Sequence, residues 1–483
     1  MGRLGASQRG RVVAIGGIAV AVVLVVSSLL LSGYGDYTHS ATSAPLKVDM
    51  GPQYGVESFV SPNAQSGGEF GISVGISGTT LVVGARQETS QSYTWAGNAY
   101  TFNTTTDTSI ATLTNTDAQA GGLFGNSVAI NGTTALVGAS AEKASGDTGA
   151  GHAYQYNATT GHLIHSFASA HPQVDGAFGW SVAISGSFGV VGAPFENASG
   201  QPGSGRAYTF NATSGKLIST LVSPDAILNG NFGYSVGISG TTVVVGAPGE
   251  NASGLSYVGN AYLYDVTTGK LIETLHSPNP HDGGMFGASV GISVPNVVVG
   301  APGEAVSGVN DSGHAYIFDT KTSKVATITD PYPPVTVPGN YFGDPVAISG
   351  DRVIVAGGAP SSLTKNVWTY AAPSGGMLFI GNFSDPGIKS VPPDSGDSYG
   401  ASVAVSGNLV AVGAWANYSS PGSQFRPGTA YVFDDAPLRI SSPPSFFCTL
   451  ACFGWSIDLT GSTVMLGAPG DTVSGQTDAG WDS

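Results

Sequence analysis

One pattern of apolar and small residues recurs along the chain, and residues 232–254, FGYSVGISGTTVVVGAPGENASG, show it in full. Phe232, Val236 and Ile238 alternate with glycine and serine, which predicts a strand with one bulky face and one nearly bare face. After an SGTT turn, the valines of residues 243–245 are apolar on both faces, as in a strand buried between two layers. A polar loop, a third strand in GNAYLYD, a VTTG turn and a fourth strand in KLIETL follow.

The aromatic-glycine pair that begins this pattern occurs eight times. The aromatic residues are Phe70, Phe124, Phe178, Phe232, Phe286, Phe342, Tyr399 and Phe453. Successive copies lie 54 residues apart, except for spacings of 56 and 57 residues on either side of copy six. A fixed period of this size indicates one repeated structural unit. Short antiparallel strands in each period, without a helical pattern after residue 31, are typical of a propeller blade. The predicted fold class is therefore an all-β propeller of eight four-stranded blades.

The two ends of the repeat region complement each other. Residues 57–71, ESFVSPNAQSGGEFG, match residues 219–233, STLVSPDAILNGNFG, which contain a fourth strand. The last copy ends in DAGWDS, without a fourth strand of its own. An N-terminal strand that completes the last blade would remove both free edges of the ring. Because AGWDS is also a truncated third strand, a ring of seven blades with an extra partial unit is the alternative.

The chain before the repeats has a different composition. Residues 12–31, VVAIGGIAVAVVLVVSSLLL, carry no charge, and as a helix they would span roughly 30 Å of hydrocarbon. Three arginines precede this run, which predicts a cytoplasmic segment of residues 1–11, a transmembrane anchor at 12–31 and everything after it outside the cell. Residues 32–55 are rich in Ser, Thr, Gly and Pro and predict a flexible linker to a propeller at 56–483.

Three alternatives to the anchor are open. A cleaved secretory signal usually has a shorter apolar region of about 7–15 residues. The stretch QRGRVVAIGG resembles an archaeal prepilin start that is processed after Gly10. A buried core helix is less suitable, because the run has no polar face.

Charge and cysteine content limit the partners further. The 16 basic residues are scattered and face 31 acidic ones, for a net charge of −15. Nucleic acids and anionic membrane surfaces need clustered Lys and Arg, so we expect neither as a partner. Cys448 and Cys452 lie in the predicted external region, where an oxidising compartment favours a disulfide. Its loop is so short that it would fix a local turn, and no further thiolate or imidazole lies nearby for a metal site.

Two short motifs relate the chain to a known family. Phe232-Gly233 and the following Gly246-Ala247-Pro248, with similar pairs in the other copies, resemble the FG-GAP repeat family. The resemblance covers residues 56–483. Integrin α-subunit heads share this repeat, and the resemblance implies an extracellular β-propeller that presents binding loops. Some copies depart from the motif: Gly138-Ala139 is followed by Ser140, and copy seven begins with Tyr399.

One departure concerns calcium. Many integrin-type repeats carry an aspartate-rich calcium loop between the two motifs, whereas this chain has only SGTT or a similar short turn there. The family's calcium ligands are therefore carried over to no residue of this sequence. The chain looks closer to the calcium-loop-free variety of the repeat found in microbial surface proteins.

A carboxylate recurs in the loop between the second and third strands. It is present in six copies, as Glu88, Glu142, Glu196, Glu250, Glu304 and Asp471. With nearby carbonyls and a serine hydroxyl, each acid offers oxygen ligands for a cation. We prefer a second interpretation, in which each acid accepts backbone N–H bonds within its own turn, because one acid per loop is few ligands for calcium.

Asn-x-Ser/Thr sequences predict a glycosylated exterior if the chain is external. The nine candidates are Asn103, Asn131, Asn157, Asn197, Asn211, Asn251, Asn310, Asn382 and Asn417. Some of them, as in NATT and NATS, are equally suited to be turn residues through their own hydrogen bonds.

Irregular loops suggest where ligands bind. Residues 330–340 and 384–397 are proline-rich and flank copy six, and the cysteine loop follows copy seven. All three fall on one predicted face, and irregular loops on a rigid scaffold commonly carry binding sites. Neutral insertions are the alternative.

No nucleophile elbow, phosphate loop or zinc-helix signature is present, so we expect no catalytic residue, no cofactor and no enzyme activity. The sequence predicts a single-pass membrane protein whose extracellular propeller serves adhesion or recognition of protein or glycan ligands. One alternative is a surface carbohydrate-active enzyme, whose carboxylates would meet in the central channel. Another is a subunit of a surface layer or filament.

Overall fold

The fold is known from a computed structural model that describes most of the repeat region and three short segments before it. The described residues are 10–16, 23–25, 48–49, 54–59, 61–65, 67–330, 340–357, 366–372, 378–384, 397–407, 409–416, 429–433, 437–441, 455–461 and 463–468. Their regular secondary structure is β-strand, which confirms the predicted all-β class. In these segments, no helix has the length and apolarity needed to cross a bilayer.

The strands fall into eight sheets, which we number in the order of the sequence repeats. Four strands precede the first complete sheet: β1 (Gly10–Gly16), β2 (Val23–Val25), β3 (Val48–Asp49) and β4 (Tyr54–Phe59). Sheet 1 contains β5 (Phe70–Ser77), β6 (Thr80–Ala85), β7 (Asn98–Asn103) and β8 (Thr108–Leu113). Sheet 2 contains β9 (Phe124–Asn131), β10 (Thr134–Ala139), β11 (His152–Asn157) and β12 (Leu163–Ala168). Sheet 3 contains β13 (Ser181–Ser185), β14 (Phe188–Ala193), β15 (Arg206–Asn211) and β16 (Lys216–Leu221).

The remaining sheets continue this order. Sheet 4 contains β17 (Ser235–Ser239), β18 (Thr242–Ala247), β19 (Asn260–Asp265) and β20 (Leu271–His276). Sheet 5 contains β21 (Val290–Ser293), β22 (Asn296–Ala301), β23 (His314–Asp319) and β24 (Lys324–Thr329). Sheet 6 contains β25 (Val346–Ser349), β26 (Arg352–Gly357), β27 (Asn366–Ala371) and β28 (Leu378–Ser384). Sheet 7 contains β29 (Asp397–Ser406), β30 (Leu409–Ala416), β31 (Thr429–Phe433) and β32 (Pro437–Ser441), and sheet 8 contains β33 (Ile457–Thr460) and β34 (Thr463–Ala468).

Each sheet follows the residue pattern of its repeat. In sheet 4, β17, β18, β19 and β20 pair in order as antiparallel neighbours. The three valines of residues 243–245 are fully buried, because sheets pack on both faces of β18. Phe232 packs on the rings of Tyr262 and Tyr264. Gly246 has no room for a side chain, since an added Cβ would collide with the carbonyl oxygen of Gly287 in the next sheet. The glycine of each Gly-Ala-Pro motif thus sets the distance between sheets.

The first strands of the sheets contact one another in a closed cycle, from β5 through β9, β13, β17, β21, β25, β29 and β33 back to β5. Serine hydroxyls bridge these strands. Ser235 Oγ donates to Gly287 O at 2.7 Å, and Ser456 Oγ in sheet 8 donates to Gly71 O in sheet 1 at 2.6 Å. Four-stranded sheets around a common centre give the described part of the chain a propeller-like architecture.

The N-terminal strands complete sheet 8, whose order is β3-β4-β1-β34-β33. β4 holds the fourth position, as the match of residues 57–71 to a fourth-strand segment predicts. β1 holds the third position and runs parallel to both β34 and β4. β2 is added to sheet 7 beside β32.

Residues 12–16 and 23–25 therefore lie in strands, where the sequence predicts a transmembrane helix over 12–31. The physical reason is that valine and isoleucine favour a strand wherever a sheet offers unpaired N–H and C=O groups. The rest of residues 12–31 lies outside the described residues.

Candidate functional site at the upper face

Each sheet has two ends with different loops. Because neighbouring strands are antiparallel, the loops after the second and fourth strands lie at one end. We call this end the upper face and the opposite end the lower face. In sheet 4, residues 248–259 and 277–289 form upper-face loops, and residues 240–241 and 266–270 form lower-face turns.

Five of the recurring acids, Glu88, Glu142, Glu196, Glu250 and Glu304, are buried below the upper face, with at most 1% exposure. Each accepts a hydrogen bond from the tyrosine twelve residues later: Tyr100, Tyr154, Tyr208, Tyr262 and Tyr316. A polar residue of the preceding upper-face loop joins each pair: Ser61, Asn115, Ser169, Ser223 and Ser277. We call each such group a clasp, because it ties one sheet to the loop that arrives from the sheet before it.

The clasp of sheet 4 shows the geometry. Tyr262 donates to Glu250 Oε2, and Asn260 Nδ2 donates to the same oxygen at 2.8 Å. Ser223 Oγ donates to the hydroxyl of Tyr262 at 3.0 Å. The first residue of the third strand varies between sheets. His152 Nδ1 lies 3.0 Å from Glu142 Oε2, and Arg206 Nε lies 3.5 Å from Glu196 Oε2.

The clasps correct one prediction. From the sequence we predict that the carboxylates accept hydrogen bonds from backbone N–H groups of their own turns. In the structure they accept hydrogen bonds from the side chains of other strands and loops instead. The turn is held by main-chain bonds instead, such as Gly259 N to Glu250 O at 2.8 Å. Within the described segments, no group of three or more His, Cys, Asp or Glu residues could hold a metal ion. Asp471 lies outside these segments.

Burial changes the protonation of the clasps. It raises the pKa of Glu88 and Glu142, and it raises the pKa of Glu196 and Glu250 to about 7, although the hydroxyl donors act in the opposite direction. Burial and the neighbouring carboxylate also raise the pKa of each clasp tyrosine. Glu196 and Glu250 therefore titrate near neutral pH, whereas their tyrosines stay protonated.

Sheet 6 replaces the clasp by another buried pair. Asn340 Nδ2 donates to Asp330 Oδ2 at 2.7 Å, and both residues are at most 5% exposed. Asn340 stands two positions before its aromatic-glycine pair, where sheet 5 has Gly284. A Cβ on Gly284 would lie 3.1 Å from Glu304 Cγ, so glycine leaves space for the glutamate. Copy six has Pro360 in place of the glutamate. The space that the glutamate needs is therefore not required there, and Asn340 takes the position of the glycine.

Several predicted site residues lie outside the described residues, namely Cys448, Cys452 and Asn417, with loop residues 331–339 and 385–396. The backbone of Asn382 lies in β28.

The other asparagine candidates divide between the two faces. Asn103, Asn157 and Asn211 end third strands at the lower face, where their Oδ1 atoms accept backbone N–H bonds in the next turn. Asn131 is at the end of β9, and its Oδ1 accepts the N–H of Gly186 at 3.1 Å. Asn197, Asn251 and Asn310 are exposed in upper-face loops.

Exposed aromatic side chains are confined to the upper face in the part of the chain that the structure describes. They are Tyr93, Trp95, Phe195, Tyr234, Tyr257, Tyr341 and Trp455, and their exposed fractions range from 37% to 61%. Exposed large aliphatic side chains lie mainly on fourth strands, for example Ile272 and Val325. Aromatic side chains offer large contact areas at a low entropy cost, which distinguishes the upper face from the rest of the surface.

Four of the side chains at the upper face belong to a group near the inner strands, which we call the mouth cluster: Trp180, Phe195, Tyr234 and Asp344. The rings of Trp180 and Phe195 lie 5.3 Å apart in an edge-on arrangement, and those of Trp180 and Tyr234 lie 5.8 Å apart. Trp180, Tyr234 and Asp344 each follow the aromatic-glycine pair of their copy. Since the first strands enclose a common centre, these three residues stand at the upper end of that opening.

Asp344 is exposed to solvent. Desolvation by the surrounding protein nevertheless raises the pKa of its carboxyl group to about 6. Partial burial of the ring, and after it the negative charge of Asp344, raise the pKa of Tyr234.

Sequence reasoning misses both the clasps and the mouth cluster. A tyrosine twelve residues after each glutamate, and a variable residue after each aromatic-glycine pair, are the signals that point to them.

The comparison with protein families agrees with the repeat pattern. A family described as FG-GAP repeat matches residues 56–102, 108–156, 173–210, 217–264, 272–318 and 393–433. One similar solved structure is BamB from Moraxella catarrhalis, which is 13% identical to this chain and has a TM-score of 0.44. The match covers 82% of this chain and 91% of the BamB chain. Another is hydrazine synthase from Kuenenia stuttgartiensis, at 12% identity, 62% and 76% coverage and a TM-score of 0.40. The search among curated proteins found no match.

Proposed function

Because the chain belongs to the FG-GAP repeat family, we propose that it is an eight-bladed β-propeller that recognises protein or glycan ligands at a cell surface through its upper face. The observation that carries this proposal is the confinement of exposed aromatic side chains to one face of the described structure. Tyr, Trp and Phe are enriched in binding interfaces. The clasps support the same face, because they fix the upper-face loops to the sheets below them.

Two observations support eight blades. The described strands form eight sheets, and their first strands contact one another in a closed cycle. Sheet 8 receives its fourth strand from β4, so that the beginning and the end of the repeat region share one sheet.

The proposed anchoring rests on the sequence. In lipid, a single strand would leave its backbone groups unsatisfied, so the uncharged run of residues 12–31 would adopt a helix there. This helix would replace β1, which fills the third position of sheet 8 in the described structure. Fractionation of cells that produce the full chain tests this part. We expect the protein to stay in the membrane pellet after an alkaline carbonate wash, and its release with an intact N-terminus would overturn the anchor.

The recognition proposal is tested with the full chain in detergent on arrays of glycans and extracellular proteins, with and without calcium. One variant replaces the seven exposed upper-face aromatic residues by serine. A matched variant replaces five exposed aliphatic residues of fourth strands by serine: Ile164, Leu217, Leu271, Ile272 and Val325.

We expect the aromatic variant to lose binding and the aliphatic variant to keep it, with both retaining the circular dichroism spectrum of a β protein. Equal binding by both variants, or no binding by the parent protein, would overturn the proposal.

A further inference from the structure

We propose that the mouth cluster binds a neutral sugar ring of a glycan; this site rests on the recognition function proposed above. Trp180, Phe195 and Tyr234 form the apolar wall of the site, and the Asp344 carboxylate is its hydrogen-bond acceptor.

The aromatic wall is held in place by the backbone beneath it. The N–H of Trp180 donates to Ala177 O, and the N–H of Tyr234 donates to Asn231 O, both at 3.0 Å. Asn231 Nδ2 also donates to Pro194 O at 3.4 Å, next to Phe195. The main chain that carries the rings is therefore held in place without a ligand, which lowers the entropy cost of binding.

The ring geometry suits a pyranose. The edge-on contact of Phe195 with Trp180 leaves part of the rings exposed, with Phe195 and Tyr234 each at 38%. Aromatic faces carry negative potential, and the C–H groups of a sugar ring are weakly positive, so the two surfaces attract each other as they pack. A flat stack of C–H groups also excludes water from the wall.

The acid selects the ligand class. A carboxylate is an acceptor only, and it can accept bonds from two neighbouring sugar hydroxyls. Its charge, together with the net charge of −15, repels sialylated, uronic and sulfated glycans. Neutral hexoses supply hydroxyl donors without this repulsion.

The repeats provide an internal comparison for these positions. The residue after the aromatic-glycine pair is Ile72 in copy one, Asn126 in copy two and Ala288 in copy five. The blade therefore does not require an aromatic or acidic residue at this position. Tryptophan, tyrosine and aspartate stand at this position in copies three, four and six, and copy eight has Trp455 there.

The test uses the full chain in detergent and an array of neutral gluco-, galacto- and manno-configured oligosaccharides, with sialylated and sulfated glycans and a lysine-rich peptide as further probes. For the best neutral ligand, we expect Trp180→Ala and Tyr234→Ala each to weaken binding at least tenfold. Ile272→Ala is the control, because Ile272 is 54% exposed on the fourth strand β20, away from the upper face, and we expect it to bind like the parent.

Asp344 supplies a second readout. Neutral-sugar binding should weaken as the pH falls below about 6, where this carboxylate becomes protonated, and Asp344→Asn should remove that dependence. A merely structural role for the aromatic residues would not produce this effect. Trp180→Phe covers the case in which Trp180→Ala does not fold, and it should retain part of the affinity.

Two results would overturn the sugar site: unchanged neutral-glycan binding in the Trp180 and Tyr234 variants, or binding of the lysine-rich peptide in place of neutral sugars. Suppose that the Trp180 and Tyr234 variants bind neutral glycans like the parent. If the variant without the seven upper-face aromatic residues then loses binding, the recognition function stands and only the site is wrong. If that variant also binds like the parent, the proposed function fails as well.

Discussion

The carboxylate of Asp458 in β33 accepts a hydrogen bond from the backbone N–H of Ile76 in β5 at 2.8 Å, across 382 residues of chain. Its second oxygen accepts the N–H of Leu459 at 2.8 Å. The bond joins sheet 8 to sheet 1, where the last repeat meets the first. In copies one and two the same position holds Gly75 and Ala129, so the acid is particular to this junction.

Asp458→Ala should therefore destabilise the junction without steric cost, because alanine occupies the equivalent position in copy two. Loss of the acceptor leaves the Ile76 N–H unpaired. We expect the free energy of unfolding, measured with urea, to fall by about 1–3 kcal/mol. Asp458→Asn keeps one acceptor oxygen and should lose less. An unchanged urea midpoint for the alanine variant would show that the bond does not hold the two sheets together.

The clasps predict that stability falls as the pH rises. Burial raises the pKa of Glu196 and Glu250 from an ordinary 4.5 to about 7, so the folded protein binds these protons more tightly than the unfolded chain. The stabilisation is fully present below pH 4.5 and is lost as the pH rises through 7. It amounts to on the order of 3 kcal/mol for each group. Thermal unfolding measured between pH 4.5 and 8 should show this decline.

Glu196→Gln and Glu250→Gln remove the titrating protons but keep the shape of the side chain. The doubly substituted protein should show a flatter dependence of the melting temperature on pH than the parent. Glu273→Gln is the control, because Glu273 lies on the outer strand β20 away from the clasps, and it should leave the slope unchanged. A parent protein that gains stability between pH 4.5 and 7 would contradict the assignment.

The sequence predicts the sheets well because each strand is encoded within its own repeat. Alternation in residues such as Val236 and Ile238, and burial on both faces of the second strand, follow from local pattern alone. The glycine of the Gly-Ala-Pro motif sets the distance between neighbouring sheets, and it too is encoded within each repeat. The helix predicted over residues 12–31 illustrates the limit of such patterns, since an apolar run rich in valine suits either a lipid-embedded helix or a strand beside β34.

The candidate sites are harder to predict because their partners come from different repeats. Glu250 is visible as a recurring acid, but its contact with Tyr262 and the contribution of Ser223 from the preceding loop require the packed sheets. The interpretation of the acids as turn residues fails because it considers only nearby backbone donors. Trp180 and Asp344 are likewise unremarkable in sequence until the inner strands place copies three and six around one opening.

The glycine that faces each clasp should be energetically coupled to its glutamate. A Cβ on Gly176 would lie 2.8 Å from Glu196 Cγ, and the backbone at Gly176 is not in the left-handed region. Gly176→Ala should therefore destabilise the protein by crowding the glutamate, by about 1–3 kcal/mol. In a Glu196→Ala background the same change should cost much less, because the crowding partner is gone.

Urea unfolding of the four proteins of this double-mutant cycle measures the coupling, which we expect to exceed about 0.5 kcal/mol. The control for the effect of adding a Cβ to a glycine is Gly189→Ala, since its added Cβ has only an ordinary contact at 3.6 Å with Leu136 Cδ2. Gly186→Ala would not serve, because a φ of 54° at that position strains any residue other than glycine. Additive effects of the Gly176 and Glu196 substitutions would contradict the packing described for the clasp.

The lower-face asparagines should be replaceable by aspartate without loss of stability. Asn157 Oδ1 accepts the backbone N–H groups of Thr159 and Thr160 at 3.0 and 3.1 Å. Asp265 makes the same bonds to its own turn in sheet 4, so the turn needs the oxygen and not the amide nitrogen. Asn157→Asp should therefore leave the melting temperature unchanged while it removes any glycan acceptor at this site.

Asn157→Ala removes the acceptor oxygen and should lower the free energy of unfolding, measured with urea, by about 0.5–1.5 kcal/mol. Equal destabilisation by both substitutions would mean that the amide nitrogen, or a glycan attached to it, stabilises the turn.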